Sequence, residues 1–230
     1  MNILCLADEE DKGLYEYYKD ENLHDADLII SCGDLHARYL EYIVTVSNKT
    51  LLYVRGNHDG NYDINPPLGC YDIDDRIYDF NGLRILGLGG SMRYRDGKDM
   101  YTEAEMKKRI RKINSAITLR NGVDIIVAHA PVRGYGDLDD LPHQGFDCFN
   151  ELLYRWKPKY FLHGHVHKSY RATDFKREFI HPSGTKIINC YDRYDLFIGD
   201  DEHPPKGRTG SALYDLYVSL QEKNDKRKYG

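Results

Sequence analysis

The chain predicts an α/β fold built around parallel strands, and three observations carry that expectation. Short continuous apolar runs recur at residues 3–7, 28–32, 51–55, 123–128 and 160–162, the pattern of strands buried on both faces. Helix-length stretches alternate with the early runs, which implies βαβ units with right-handed crossovers. Each of the five runs also ends on a polar residue able to hold a metal ion.

The elements follow in order. Residues 3–7 form a first strand, and Asp8, Glu9, Glu10 and Asp11 open a loop or helix N-terminus, where negative charge suits the helix dipole. Residues 14–18 continue as helix, 28–32 form a strand closed by Gly33-Asp34, 37–46 a crossover helix, and 51–55 a strand ending in Gly56-Asn57-His58-Asp59. Pro66, Pro67 and Gly69 make 60–76 a surface loop. Residues 77–80 and 83–86 flank Asn81-Gly82, the signature of a hairpin with a type I′ turn. A glycine-rich loop holding Arg93 and Arg95 follows, and Thr102 with Glu105 has capping-box spacing for a helix to about Leu119. After the strand at 123–128, a long loop containing His143 leads to a helix over 146–156. The strand at 160–162 runs into Leu162-His163-Gly164-His165-Val166-His167. Short antiparallel strands are expected at 170–172, 179–180, 186–190 and 196–198, and a terminal helix over 212–221 precedes a solvated basic tail.

At 230 residues without a Pro/Gly/Ser-rich linker, the chain is expected to be one domain over 1–230, with a C-terminal helix and tail at about 210–230. A net charge of −5 argues against nucleic acid as a structural partner. No apolar run is long enough for a membrane span or signal peptide. The cysteines Cys5, Cys32, Cys70, Cys148 and Cys190 are scattered without a C-x-x-C pair, so they read as reduced thiols of a cytoplasmic protein.

Within the block at 162–167, His165 and His167 stand two residues apart and share a side of an extended segment, and Gly164 permits the backbone to turn. Alone, such a block suits a metal site or a histidine-rich polar turn equally. The other strand ends decide between them. In an open α/β sheet ligands bind beyond the carboxyl ends of the strands. Asp8, Asp34, Asn57 with His58, His129, and His165 with His167 therefore converge on one rim.

The order Asp8, Gly33-Asp34, Gly56-Asn57-His58-Asp59, His129 and Gly164-His165-Val166-His167 resembles the calcineurin-like metallophosphoesterase superfamily over residues 1 to about 198. The resemblance implies two mixed β-sheets packed as a sandwich and flanked by helices, with a two-metal centre at the strand ends. It implies that Asp34 bridges both ions, that Asp8 and His167 hold the first, and that Asn57, His129 and His165 hold the second. His58 would be the catalytic imidazole beside the scissile phosphate. The chain departs from the family at one place: the first block, Asp-x-His elsewhere, reads Asp8-Glu9-Glu10 here. Glu10 is expected to replace the imidazole at the first ion, the alternative being that it faces solvent. An oxygen-rich centre of this kind favours Mn²⁺, with iron, Mg²⁺ and Zn²⁺ as the other candidates.

The activity implied is hydrolysis of a small or nucleotide-like phosphate ester, most simply a phosphodiester, by a metal-activated water. Arg93, Arg95 and His143 are candidate substrate contacts. A phosphomonoesterase is the competing enzymatic reading, though the residues after Asp34 lack the aspartate of the protein-phosphatase branch. A non-catalytic scaffold similar to the retromer subunit on this fold is the other.

Overall fold

The computed structural model describes residues 1–15, 23, 25–171 and 175–229, the side chains of 171, 222 and 224–229 excepted. Most of the helix expected over 14–18 lies outside the described residues.

Two mixed sheets form the frame. The first contains β1 (Asn2–Ala7), β2 (Leu28–Ser31), β3 (Thr50–Tyr53), the short β4 (Tyr71–Asp72) and β13 (Asp192–Phe197), in the order β13-β1-β2-β3-β4. The second contains β5 (Ile77–Phe80), β6 (Leu83–Leu88), β9 (Ile125–Ala128), β10 (Tyr160–His163), β11 (Glu178–Ile180) and β12 (Lys186–Asn189), in the order β11-β12-β10-β9-β6-β5. Parallel pairing joins β1 to β2, β2 to β3, β6 to β9 and β9 to β10. The carboxyl ends of these strands are the ends at which the chain leaves each sheet for the polar residues singled out above.

Strict alternation of side chains packs the layers. Ile3, Cys5 and Ala7 of β1 face inward with Ile30 and Leu52, against Ile85, Val127, Leu162 and Ile188 of the second sheet. Leu4, Leu6, Ile29 and Leu51 face outward onto Leu40 and Ile43 of helix α1 (Ala37–Ser47). On the opposite outer face, Leu86, Ile126, Phe161 and Ile187 meet Met106, Ile113 and Ile117 of α2 (Glu103–Leu119), and Phe149 and Leu152 of α3 (Asp147–Trp156). Because every inner strand is covered on both faces, its sequence is a continuous apolar run. Each fully buried Leu or Ile contributes about 1.5–3 kcal/mol.

The local signals in the sequence are realised. The Thr102 side chain accepts from the Glu105 backbone N–H, and Glu105 reaches back to the Thr102 N–H at 2.8 Å, closing the capping box of α2. Asn81 and Gly82 take positive φ values of 53° and 92°, as a type I′ turn requires. Arg84 of β6 forms a buried fork on Asp124, with bonds of 2.8 and 2.7 Å, and its Nη1 donates to the carbonyls of Arg120 and Asn121 beyond α2. That guanidinium ties a helix end to the start of β9.

Several expectations need correction. Residues 60–76 are not all loop: Asp59–Asp63 form a 3₁₀ turn and β4 adds an edge strand. Within 87–101, β7 (Ser91–Met92) and β8 (Met100–Tyr101) pair in parallel. Tyr170 belongs to a 3₁₀ turn at Lys168–Arg171 rather than a strand. β12 pairs antiparallel with β11 but parallel with β10. Helix α4 (Ala212–Tyr229) runs past the expected end at 221. All five cysteines are free. Among the described residues, no helix is long and apolar enough to cross a membrane.

Candidate metal centre

At the carboxyl ends of β2, β9 and β10, the side chains of Asp34, His129 and His165 offer donor atoms that all lie within 4.8 Å of one another. Two come from the second sheet and one from the first, so the cluster straddles the inter-sheet seam. His129 is wholly buried and donates Nδ1–H to the Cys32 carbonyl at 2.8 Å, which turns Nε2 toward the centre. His165 is held the opposite way round: its Nε2–H donates to the Pro142 carbonyl at 2.7 Å, so Nδ1 is the free donor, 3.1 Å from His129 Nε2. Carbonyl partners that fix the tautomer and orientation of an imidazole are characteristic of metal ligands.

Asn57 presents Oδ1 3.1 Å from His129 Nε2, and Asp34 presents Oδ2 3.2 Å from the same atom. The other Asp34 oxygen accepts the His58 backbone N–H at 2.7 Å. Desolvation alone would raise the Asp34 carboxyl, but His129 overrides it and Asp34 falls to about 2. Burial opposes an imidazolium at His129, yet the Asp34 carboxylate pushes that ring up to about 10. His165, desolvated and facing His129, drops to about 3. A proton on His129 Nε2 thus sits among Asp34, Asn57 and His165, where it compensates the Asp34 carboxylate. Replacement of that proton by a divalent cation would leave two imidazole nitrogens, a carboxylate and an amide oxygen as ligands, a set that fits Mn²⁺, Fe²⁺ or Zn²⁺.

Asp8 lies alongside. Its side chain is fully buried, and both its oxygens accept the His165 backbone N–H at 3.0 and 2.9 Å. His167 Nε2 lies 3.5 Å from Asp8 Oδ1, and its ring stacks on Tyr170 at 4.8 Å. Asp8, Asp34 and His165 all take positive φ, at 66°, 57° and 69°. Such conformations cost of order 1–3 kcal/mol each and persist where surrounding contacts impose them.

The glycines of the motifs have steric reasons. A Cβ on Gly56 would fall 2.1 Å from Asp34 Oδ1, and one on Gly164 would fall 2.5 Å from Asp8 Oδ2. Asp59, the last residue of the Gly-Asn-His-Asp block, accepts the backbone N–H groups of Asp34 and Gly56, both at 2.8 Å, and so staples two strand ends together. Burial, reinforced by the nearby Asp34 charge, raises its carboxyl to about 6.

The remaining expected residues lie outside the donor cluster. His58 is exposed and, with Asp8, Asp34, His36, Tyr62 and His167, lines a groove of about 290 Å³. A larger hollow of about 450 Å³ between Asn2, Asp25, Arg193 and Phe197 contains no imidazole. Glu10 lies outside the donor cluster and bonds His36 Nδ1 at 2.8 Å. His143 bonds Asp140 at 2.6 Å, and its ring meets those of His165 and Tyr170 at 5.4 and 4.6 Å. Arg93 is engaged by Glu105 at 2.9 Å, and Arg95 lies over the Tyr94 ring at 5.3 Å. Neither arginine enters the cluster. The sequence reading missed the roles of Cys32, Pro142 and Asp59. The first two act through carbonyls, which leave no mark in sequence, whereas Asp59 was visible as the fourth residue of its block.

A profile of the calcineurin-like phosphoesterase family matches residues 6–169. Two relatives come from Caenorhabditis elegans. The UPF0046 protein T07D4.2 is 35% identical over 72 residues, covering 30% of this chain and 16% of that protein's length. The UPF0046 protein C25E10.12 is 22% identical over 207 residues, covering 75% of this chain and 71% of its own. One solved structure aligns at a TM-score of 0.63 with 12% identity, over 89% of this chain and 97% of its own. The protein TT1561 of Thermus thermophilus aligns at 0.55 with 14% identity, over 83% and 89%. At these identities the structural likeness speaks to the fold alone.

Proposed function

The chain belongs to the calcineurin-like phosphoesterase family, whose members hydrolyse phosphoric esters, and on that premise we propose a metal-dependent phosphodiesterase acting on a small or nucleotide-like substrate in the cytoplasm. Residues 1–230 would act as one catalytic domain. The observation that carries the proposal is the convergence of Asp34, His129 and His165 at strand ends of both sheets. Two divalent ions, Mn²⁺ by preference, would lie here. Asp34 would serve both, Asn57, His129 and His165 would hold the second, and Asp8 and His167 would hold the first, with Glu10 in support. When bound, such ions neutralise phosphoryl oxygens and make a water acidic enough to attack phosphorus at neutral pH.

The chain's own groups do the rest. The glycines of the Gly-Asn-His-Asp and Gly-His-x-His blocks bring backbone close to the carboxylates. The carbonyls of Cys32 and Pro142 set which imidazole nitrogen faces inward. His58, exposed at the groove and free of a side-chain partner among the described residues, is available to donate to a phosphoryl or leaving oxygen. Arg95 and His143 would serve as contacts for the remainder of the substrate. Arg93 would serve only on release from Glu105.

The test is a Mn²⁺-supplemented assay with bis-p-nitrophenyl phosphate beside p-nitrophenyl phosphate. Faster turnover of the diester is expected, and His58→Ala should lower it by about 10²–10⁴-fold with metal content unchanged. A faster monoester reaction would make the protein a phosphomonoesterase. Turnover of neither ester with Mn²⁺, Fe²⁺, Mg²⁺ or Zn²⁺ would overturn the enzymatic reading in favour of a scaffold.

A further inference from the structure

The first metal position is short of an imidazole. The second has Asp34, Asn57, His129 and His165 around it, whereas the first has Asp8, Asp34 and His167, because the residue two after Asp8 is Glu10. Glu10 does not join the donor cluster. Its Oε1 instead lies 2.8 Å from Nδ1 of His36, two residues beyond Asp34, and His36 lines the same groove as Asp8, Asp34 and His167. A carboxylate can only accept, so His36 Nδ1 carries the proton and its lone pair is on Nε2.

His36 occupies the N-cap position of α1, yet its side chain makes no capping bond. Among the described residues, Glu10 is its side chain's one hydrogen-bond partner. The exposed ring lies outside the donor cluster but lines the groove, where no packing fixes its rotamer and Glu10 holds its far nitrogen. An imidazole whose far nitrogen is held by a carboxylate is the arrangement that orients histidine ligands on metal ions and raises their basicity. An exposed Glu–His pair with no further task would add little to stability.

Resting on the two-metal reading above, we infer that His36 is the missing imidazole ligand of the first metal position, and that Glu10 serves that position by holding His36 rather than by coordinating directly. The imidazole that the family places two residues after its first aspartate comes here from position 36, with the carboxylate at position 10 supporting it from behind.

A reciprocal exchange tests this without reference to turnover. Full-length protein is loaded with Mn²⁺, freed of excess ion by gel filtration, and its metal-to-protein ratio measured, with nitrogen couplings to Mn²⁺ read by pulsed electron paramagnetic resonance. Wild type should hold two ions, and His36→Ala one, with one fewer coupled imidazole. Glu10→Gln, which still accepts from Nδ1–H, should weaken the first position less than Glu10→Ala, whose loss should be about 10–100-fold. The double variant Glu10→His/His36→Ala should regain two ions. Circular dichroism of each metal-free variant checks that it is folded. Retention of both ions by His36→Ala overturns the inference, as does failure of the folded double variant to recover the second ion. Loss in Glu10→Ala without loss in His36→Ala would make Glu10 the direct ligand. A wild-type chain that takes up no Mn²⁺ would overturn the parent reading as well, whereas one ion lost from wild type to His36→Ala can come only from the site proposed here.

Discussion

His163 ends β10 one residue before the glycine that lets Asp8 approach, and its ring is wholly buried. Its Nδ1–H donates to the Gly164 carbonyl at 2.9 Å, while Nε2 is buried without a partner among the described residues. A charged ring there has no water to solvate it, so burial holds His163 down to about 4, against an ordinary 6.5. The sign of the linkage follows. Between pH 6.5 and 4 the unfolded chain binds a proton at this residue and the folded chain does not, so its contribution is intact above pH 6.5 and is lost as pH falls toward 4. The shift corresponds to roughly 3 kcal/mol. Replacing His163 with Leu should remove this dependence, so that the variant gains about that much relative to wild type on going from pH 7 to pH 4. Urea denaturation at the two pH values measures it, and parallel losses in both proteins would refute the assignment. The neighbouring His165 is held lower still, to about 3, so its loss falls in the same window, but it is present in both proteins and cancels in the comparison.

Elements show where sequence carries structural information and where it does not. β1, β2, β3, β9 and β10 were legible because each is a continuous apolar run covered on both faces, and the hairpin of β5 and β6 because Asn81-Gly82 leaves few alternatives. Two-residue strands such as β4, β7 and β8 are too short to show any period. The parallel pairing of β12 with β10 was missed because alternation reports which face is buried, not which way the neighbour runs. The loop over 131–145 shows the same limit at the site. Its histidine, His143, stood out in the sequence, but the group that touches a donor side chain by hydrogen bond is the carbonyl of Pro142. Asp137 closes this loop by accepting from the N–H groups of Gly134 and Gly145, and Asp140 fixes the His143 ring against His165. Asp140→Ala should loosen that support and let His165 turn. Isothermal titration with Mn²⁺ should then show about 10–100-fold weaker binding at the second position, with the first nearly unaffected. An unaltered isotherm would mean that Pro142 is held without help from Asp140.

At the scale of the whole molecule, the centre closes one edge of a sandwich whose two sheets are otherwise joined mainly by apolar packing. Asp8, Asp34 and Asn57 leave the first sheet and His129, His165 and His167 leave the second, so the ions proposed to lie among them would link the layers. In the protein's own interactions the nearest equivalent is the Asp34–His129 contact at 3.2 Å, where a proton does a small part of what a dication would. A ligand that binds only the assembled rim stabilises the fold by mass action, by about 2.7 kcal/mol for each site at a free concentration 100 times its Kd. For a chain of this length 1 kcal/mol corresponds to roughly 2–4 °C in Tm, so saturating Mn²⁺ should raise the midpoint by about 5–10 °C per ion over protein stripped with EDTA. Asp34→Asn should abolish most of that gain, because the carboxylate proposed to serve both positions is lost. The neutral side chain also leaves His129 without its counter-charge, so the stripped variant should depend less steeply on pH where His129 would otherwise titrate. Scanning calorimetry of wild type and Asp34→Asn, each with EDTA and with Mn²⁺, separates these effects. Equal midpoints for wild type in the two conditions would mean that the strand ends gather without holding an ion, and the chemistry argued from them would fail.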